Sequence, residues 1–336
     1  MLKDNEGNKI TIYKPENFHV KVIGRSGCGK TYWCCRYIQE TAKNVPTLVL
    51  DFSGSYTNRE LKKNGFTDEQ FQTINLRKEG IALMVCKEQA VDMVVDSIIT
   101  LLNISSLYQK KILREACEKT FEFNGFFSFA RLYGELVALR EIDEDRDIVK
   151  NADILLNRLD HLKGIESLRI MPGSSVSLSK NCIIELTEFA TRIRIDLAQF
   201  LLEILWREIQ NKIVERMQIV LDEFHLLSLK GTAVENMLRE GRKFGLGLIL
   251  LTQYVEPDAA HTLEQSATSL YFLPDVHNFQ VVAQMIDPSE YKKWIPKLKD
   301  LKQGQCILDA AFAVNGKGAV YGQPILCNVE KIGKFV

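Results

Sequence analysis

No apolar run in the 336 residues approaches the roughly 18 needed to cross a bilayer; the longest candidate, Leu246 to Thr252, has the length of a strand. The N-terminus, MLKDNEGNK, is polar and lacks the apolar stretch of a secretory signal. A cytoplasmic protein with no membrane segment is expected. Neither sign of charge is in excess: 43 Lys and Arg stand against 43 Asp and Glu, a formal net charge of zero. That excludes a protein that coats nucleic acid by bulk charge, but not a local basic patch or a channel built from several copies. The eight cysteines include no C-x-x-C pair and no Cys/His cluster at zinc spacing, which leaves them as reduced core thiols. The five histidines make no spacing motif either.

What is present is an ordinary globular composition, 46% hydrophobic and 26% charged, enough for one large domain or two smaller ones. An apolar strand at His19 to Ile23 runs into a glycine-rich turn and a helix from about Lys30 to Lys43. Strands follow at Thr47 to Leu50 and Ile81 to Cys86. Strand, helix, strand in that order predicts a parallel sheet. From Glu88 to Leu162 apolar residues recur at helical spacing (Val91, Val94, Val95, Ile98, Ile99, Leu102), a mainly helical insertion. Strand patterns resume at Ile183 to Leu186, Gln218 to Leu221, Leu246 to Leu251, Ser269 to Leu273, Cys306 to Leu308 and Pro324 to Val329. Helices are expected over Ile195 to Lys212 and Val234 to Phe244. The expected organisation is an N-terminal arm, 1–17, with one short edge strand at Lys9 to Tyr13; an α/β core, 18–87 and 165–336; and the helical insertion, 88–164.

Gly24-Arg-Ser-Gly-Cys-Gly-Lys30-Thr31 fits G-x-x-x-x-G-K-[ST] and lies between a strand and a helix, the context a phosphate loop requires. Gly24, Ser26, Gly27, Cys28, Gly29, Lys30 and Thr31 would surround the phosphates of ATP. Backbone N–H groups and the helix dipole supply the attraction. Lys30 would reach the β- and γ-phosphates, and Thr31 would hold Mg²⁺. Val220-Leu221-Asp222-Glu223 is an apolar strand ending in two acids, the form of a Walker B strand. Asp222 would position Mg²⁺, and Glu223 would polarise the attacking water. Gln253 ends the next strand and can contact the γ-phosphate or that water. Between them, Arg239, Arg242 and Lys243 lie in a basic segment. Arg242, ahead of Arg239, is the candidate arginine finger, in its own subunit or a neighbour's; a helix C-terminus complementing the dipole fits the same residues.

Asn211-Lys-Ile-Val214 lacks the Asp of a GTPase N-K-x-D, and no L-S-G-G-Q-like segment precedes Asp222. His225 completes D-E-F-H, similar to a helicase-type box, and fits equally an ordinary helix start. The aromatic group Phe121, Phe123, Phe126, Phe127, Phe129 and Tyr133 reads as core of the insertion rather than a base-stacking platform. Lys110-Lys111, Lys292-Lys293 and Lys297 to Lys302 read singly as solvated faces.

Several segments together resemble the HerA/FtsK superfamily of ring-forming DNA-pumping ATPases, most of all its HerA branch. They are Gly24 to Thr31, Thr47-Leu-Val-Leu-Asp-Phe-Ser-Gly54, Ile183-Ile-Glu-Leu186, Ile219 to His225, Arg239 to Leu248, Leu251-Thr-Gln253 and Leu301 to Leu308. The branch-specific part is G-R-K-F-G-L-G-L followed by T-Q. The resemblance implies a RecA-like core assembled as a hexameric ring, ATP at subunit interfaces and double-stranded DNA in a central channel. It also implies a partner nuclease or other effector, in DNA end processing or anti-phage defence. Two features depart from the pattern. Only 23 residues precede Gly24, where HerA proteins usually carry a β-barrel, and Gly54-Ser-Tyr56 stands where the family often has G-E-Y. The competing expectations are a regulatory ATPase that gates an effector without moving DNA, and a small-molecule kinase.

Overall fold

The computed structural model describes residues 2–13, 18–64, 66, 70–173, 181–211 and 216–330. In chain order the strands are β1 (Leu2–Lys3), β2 (Lys9–Ile12), β3 (Val20–Ile23), β4 (Thr47–Asp51), β5 (Gln72–Asn75), β6 (Ile81–Cys86), β7 (Leu168–Gly173), β8 (Cys182–Glu185), β9 (Met217–Leu221), β10 (Leu246–Thr252), β11 (Thr268–Tyr271), β12 (Gln305–Asp309), β13 (Ala311–Val314), β14 (Lys317–Tyr321) and β15 (Ile325–Val329). The helices are α1 (Lys30–Thr41), α2 (Asn58–Lys63), α3 (Ala90–Leu102), α4 (Leu107–Asn124), α5 (Phe129–Ile142), α6 (Arg146–Leu159), α7 (Thr191–Gln210), α8 (Ala233–Glu240), α9 (Pro257–Leu263), α10 (Phe279–Ile286) and α11 (Tyr291–Lys299).

Thirteen strands form one sheet, in the order β14-β13-β2-β1-β15-β12-β11-β3-β10-β9-β4-β8-β5. From β11 to β5 every pairing is parallel. From β11 out to β14 every pairing is antiparallel. The molecule is thus the expected α/β protein with a largely parallel central sheet. The central parallel strands are mostly apolar because helices cover both faces; every residue of β4, β9 and β10 is buried. Alternation then sorts the side chains. Leu48, Leu50, Ile219, Leu221, Leu248 and Leu250 join the layer that includes α3 to α8. Val49, Val220, Ile249 and Leu251 join the layer of α1, with its Trp33, Cys34, Cys35, Tyr37 and Ile38. Each fully buried aliphatic side chain contributes roughly 1.5–3 kcal/mol. A buried Gln218 donates to the hydroxyls of Thr41 and Thr47, at 2.6 and 2.7 Å, and pins the far end of α1 to the sheet.

Several expectations need correction. Ile81 to Cys86 does not enter the main sheet. It pairs in parallel with β7 in a separate two-stranded sheet, because a short apolar run does not specify its partner. Lys9 to Ile12 is no edge strand: β2 lies between β1 and β13, so part of the stretch read as an N-terminal arm is sheet. Residues 1 and 14–17 of that arm lie outside the described residues. The helix expected through Phe244 ends at Glu240 and tightens into a short 3₁₀ turn, Gly241–Phe244, closed by Gly245 at φ 73°. The helix expected to reach Lys212 ends at Gln210, and Lys212 lies outside the described residues. In the aromatic group Phe127 and Phe129 are buried, whereas Phe123 is exposed. Among the described residues no helix is long and apolar enough to cross a membrane.

Candidate active site

The parallel strands β3, β10 and β9 are adjacent and end on one edge of the sheet, so Gly24, Gln253 and Asp222 emerge side by side. The Gly24 N–H donates to Thr252 O at 3.1 Å, and the Arg25 N–H to Leu273 O at 2.8 Å, fastening the start of the loop to both flanking strands. A Cβ at Gly24 would stand 2.6 Å from the Phe272 Cβ, so this position takes no side chain. Gly27 and Gly29 have φ of 74° and 112°, which L side chains rarely adopt. The first turn of α1 carries no acidic residue, leaving its dipole free for an anion. Lys30 is buried, and its Nζ donates to Arg25 O at 3.1 Å, inside the curl of its own loop.

Asp222 follows Leu221 and turns to the α1 layer by strand alternation. Its Oδ2 accepts the Thr31 hydroxyl at 3.1 Å and its Oδ1 the Glu223 N–H at 2.9 Å. Burial pushes its carboxyl up to about 6, helped by the charge of Glu223 and opposed by Lys30 and Thr31. A hydroxyl beside a buried, poorly solvated carboxylate suits a small hard cation that also binds phosphate oxygens. Thr31 and Asp222 would hold Mg²⁺, whose charge favours the ionised Asp222. Among the described residues no cluster of three or more His, Cys, Asp or Glu offers an all-protein metal cage.

Glu223 is one of the few non-glycine residues in the left-handed region, at φ 55°. The turn swings its side chain away from Asp222 and toward β10. There Gln253 Nε2 donates to Glu223 Oε1 at 2.5 Å. The other oxygen, Oε2, is buried and accepts no hydrogen bond; the His225 Nδ1 stands 3.3 Å away. His225 Nδ1 also lies 3.3 Å from the Thr252 hydroxyl. A half-buried carboxylate with one oxygen held by Gln253 and the other facing His225 is placed to receive a proton from water.

The structure thus gathers Gly24 to Thr31, Asp222, Glu223 and Gln253 on one edge. It does not bring Arg242 there. Arg242 precedes β10, and the seven-residue strand separates it from Gln253 by about 20 Å at 3.3 Å per residue. Arg242 therefore stands at the opposite end of β10 from the phosphate loop of its own subunit. Arg239, in the last turn of α8, pairs with Glu235 at 2.7 Å. It borders a groove of about 820 Å³ shared with His225, Lys230 and Tyr254. Sequence reasoning missed Arg25, Tyr254 and Asp275, which line a cleft of about 570 Å³ together with Ser26 and Gln253; their polarity directly after apolar strands was the available signal.

Residues 2–217 match the family model described as "Helicase HerA, central domain". The chain belongs to this family. It is a P-loop ATPase of the HerA type, as the motif resemblance implied. A curated relative is the DNA double-strand break repair helicase HerA of Sulfurisphaera tokodaii, 22% identical over 93% of this chain. The chain spans 65% of that HerA's length. Among solved structures, VirB4 of Thermoanaerobacter pseudethanolicus superposes with a TM-score of 0.70 at 14% identity, covering 98% of this chain and 95% of VirB4. The plasmid coupling protein TrwB in complex with the ATP analogue ADPNP gives a TM-score of 0.66 at 13% identity, over 93% of this chain and 85% of TrwB. These likenesses show a shared fold, and TrwB has also been solved with ADP and Mg²⁺.

Proposed function

We propose that the protein hydrolyses ATP with Mg²⁺ as a ring-forming cytoplasmic motor, a hexamer, that translocates or processes double-stranded DNA with a nuclease or other effector partner. Anti-phage defence is the setting this reading favours. The observation that carries it is Glu223, with one carboxylate oxygen anchored by Gln253 and the other buried beside His225 without a hydrogen bond, two strands from the phosphate loop. Lys30 would neutralise β/γ-phosphate charge, Thr31 and Asp222 would hold the cation, and Glu223 would take the proton from water while Gln253 orients it. In this reading residues 18–87 and 165–336 form the motor and 88–164 a helical accessory, with β1 and β2 of the expected arm built into the motor's sheet. In the ring reading the exposed Arg242 would serve a neighbour's site. Arg239 is the second candidate for that role. Kinship with a double-strand break repair helicase supports the DNA substrate. With zero net charge, DNA contacts would come from local clusters such as the exposed Lys292, Lys293, Lys297 and Lys299 of α11.

The test is ATP turnover with and without duplex DNA, beside a mass measurement and salt titration of binding. A six-protomer mass, turnover stimulated by duplex and an affinity falling steeply with salt are expected. Turnover indifferent to DNA, with no duplex binding at low salt in the presence of a non-hydrolysed ATP analogue, would replace this reading by an ATPase that gates an effector without moving DNA.

A further inference from the structure

A phosphate loop works only if its N–H groups point inward, so carbonyls that turn outward need donors of their own. Two of these outward carbonyls are claimed by a turn far away in sequence. Gln303 Nε2 donates to Gly27 O at 3.0 Å, and the Gly304 N–H donates to Cys28 O at 2.9 Å. Gly304 is in turn tied to the last strand of the sheet, its carbonyl accepting the Val329 N–H at 2.8 Å. The approach is close: a Cβ on Gly29 would meet Gly304 Cα and N at 3.5 Å, and Gly304 itself has φ 79°. This turn lies beyond the residues matched to the family, 2–217.

We propose that Gln303 is a positioning residue for nucleotide binding: its side-chain amide, with the Gly304 N–H, holds the outer carbonyls of the phosphate loop and so pre-forms the phosphate cradle. A cradle built in advance spares the nucleotide the cost of ordering it. Gln303 itself is exposed, so its replacement leaves the core intact. The proposal rests on residues 24–31 being the nucleotide loop, which loss of ADP binding in Lys30→Ala tests separately.

The experiment uses the full chain and two variants. Gln303→Met keeps the length and removes the donor; Gln303→Glu puts an acceptor against the carbonyl. ADP affinity with Mg²⁺ is measured by calorimetry, amide hydrogen exchange in nucleotide-free protein, and Tm by thermal unfolding. Both variants should weaken ADP about 3- to 10-fold, the net worth of one hydrogen bond. Exchange should rise over residues 26–30 alone, and Tm should stay at the wild-type value. Wild-type ADP affinity in both variants overturns the proposal. So does a loss of affinity with loop exchange unchanged, which would mean direct contact with the nucleotide. A fall in Tm with faster exchange through the sheet also overturns it, since Gln303 would then act on stability alone.

Discussion

Asp222→Asn should make the nucleotide-free protein more stable while removing its capacity for Mg²⁺-dependent ATP binding. Asp222 is 2% exposed, and its carboxyl is pushed from an ordinary 3.8 to about 6 by burial and by Glu223. At about 1.36 kcal/mol per pH unit, holding it ionised at pH 8 costs the folded state about 3 kcal/mol, an upper bound once relaxation is allowed. The sign follows from linkage. A carboxyl whose pKa is higher folded than unfolded binds more protons when folded, so its contribution is fully present below about 4 and lost as pH rises through about 6. Asparagine keeps the local geometry, because its oxygen can accept the Glu223 N–H while its amide donates to the Thr31 hydroxyl. Urea unfolding without nucleotide and with chelator, at pH 5 and pH 8, reads the effect. The variant should exceed wild type by about 1–3 kcal/mol at pH 8, and the gap should narrow toward pH 5 as wild-type Asp222 takes up its proton. A variant no more stable at pH 8, or a gap unchanged by pH, would refute the account of Asp222 as an ion held against its burial.

Glu223→Gln should bind ATP normally and turn it over at least about 100-fold more slowly, since an amide receives no proton from water; wild-type turnover in single-turnover assays would move the base elsewhere. Arg242→Ala should retain ATP binding yet lose about three orders of magnitude in turnover if its guanidinium serves a neighbour's γ-phosphate. Mixing it with Lys30→Ala subunits should then restore part of the activity that neither has alone. Mixed rings that form and stay inactive would leave Arg242 a surface residue.

The strands that build the site were legible because their apolar runs are buried on both faces: Val20 to Ile23, Met217 to Leu221 and Leu246 to Thr252 need no partner information to be read as sheet centre. The phosphate loop and the acids were legible because their chemistry is local. What could not be read depends on contacts distant in sequence. Ile81 to Cys86 has a strand's composition, but its neighbour, β7, lies across the whole helical insertion. Glu223 carries no hint of its left-handed backbone, and Gln303 meets Gly27 across 276 residues. One signal was available and unread. Asn315-Gly316, with φ of 51° and 76°, is the turn that joins β13 to β14, and Asn-Gly between strands is a strong hairpin mark. Arg242 was placed in a basic segment near the carboxylates in sequence, but the intervening strand carries it to the far edge.

The interleaving of the two chain ends in the sheet has a consequence for how the protein is born. Leu2 pairs with Val329 and Ile12 with Phe312, so each of these strands waits for one about 300 residues further along. The phosphate-loop strand has the same difficulty, since its neighbours β10 and β11 begin at Leu246 and Thr268. A ribosome adding about 5–20 residues each second leaves β1, paired early with β2, without β15 for roughly 15–60 s. For most of that time Gly24 to Thr31 lacks its flanking strands β10 and β11 and the Gln303 turn behind it, so the cradle for a nucleotide is incomplete. The open edges of β3 and β2 are exposed to neighbouring nascent chains meanwhile. A chain whose phosphate-loop strand gains its neighbours so late depends on whatever shields those edges in the meantime.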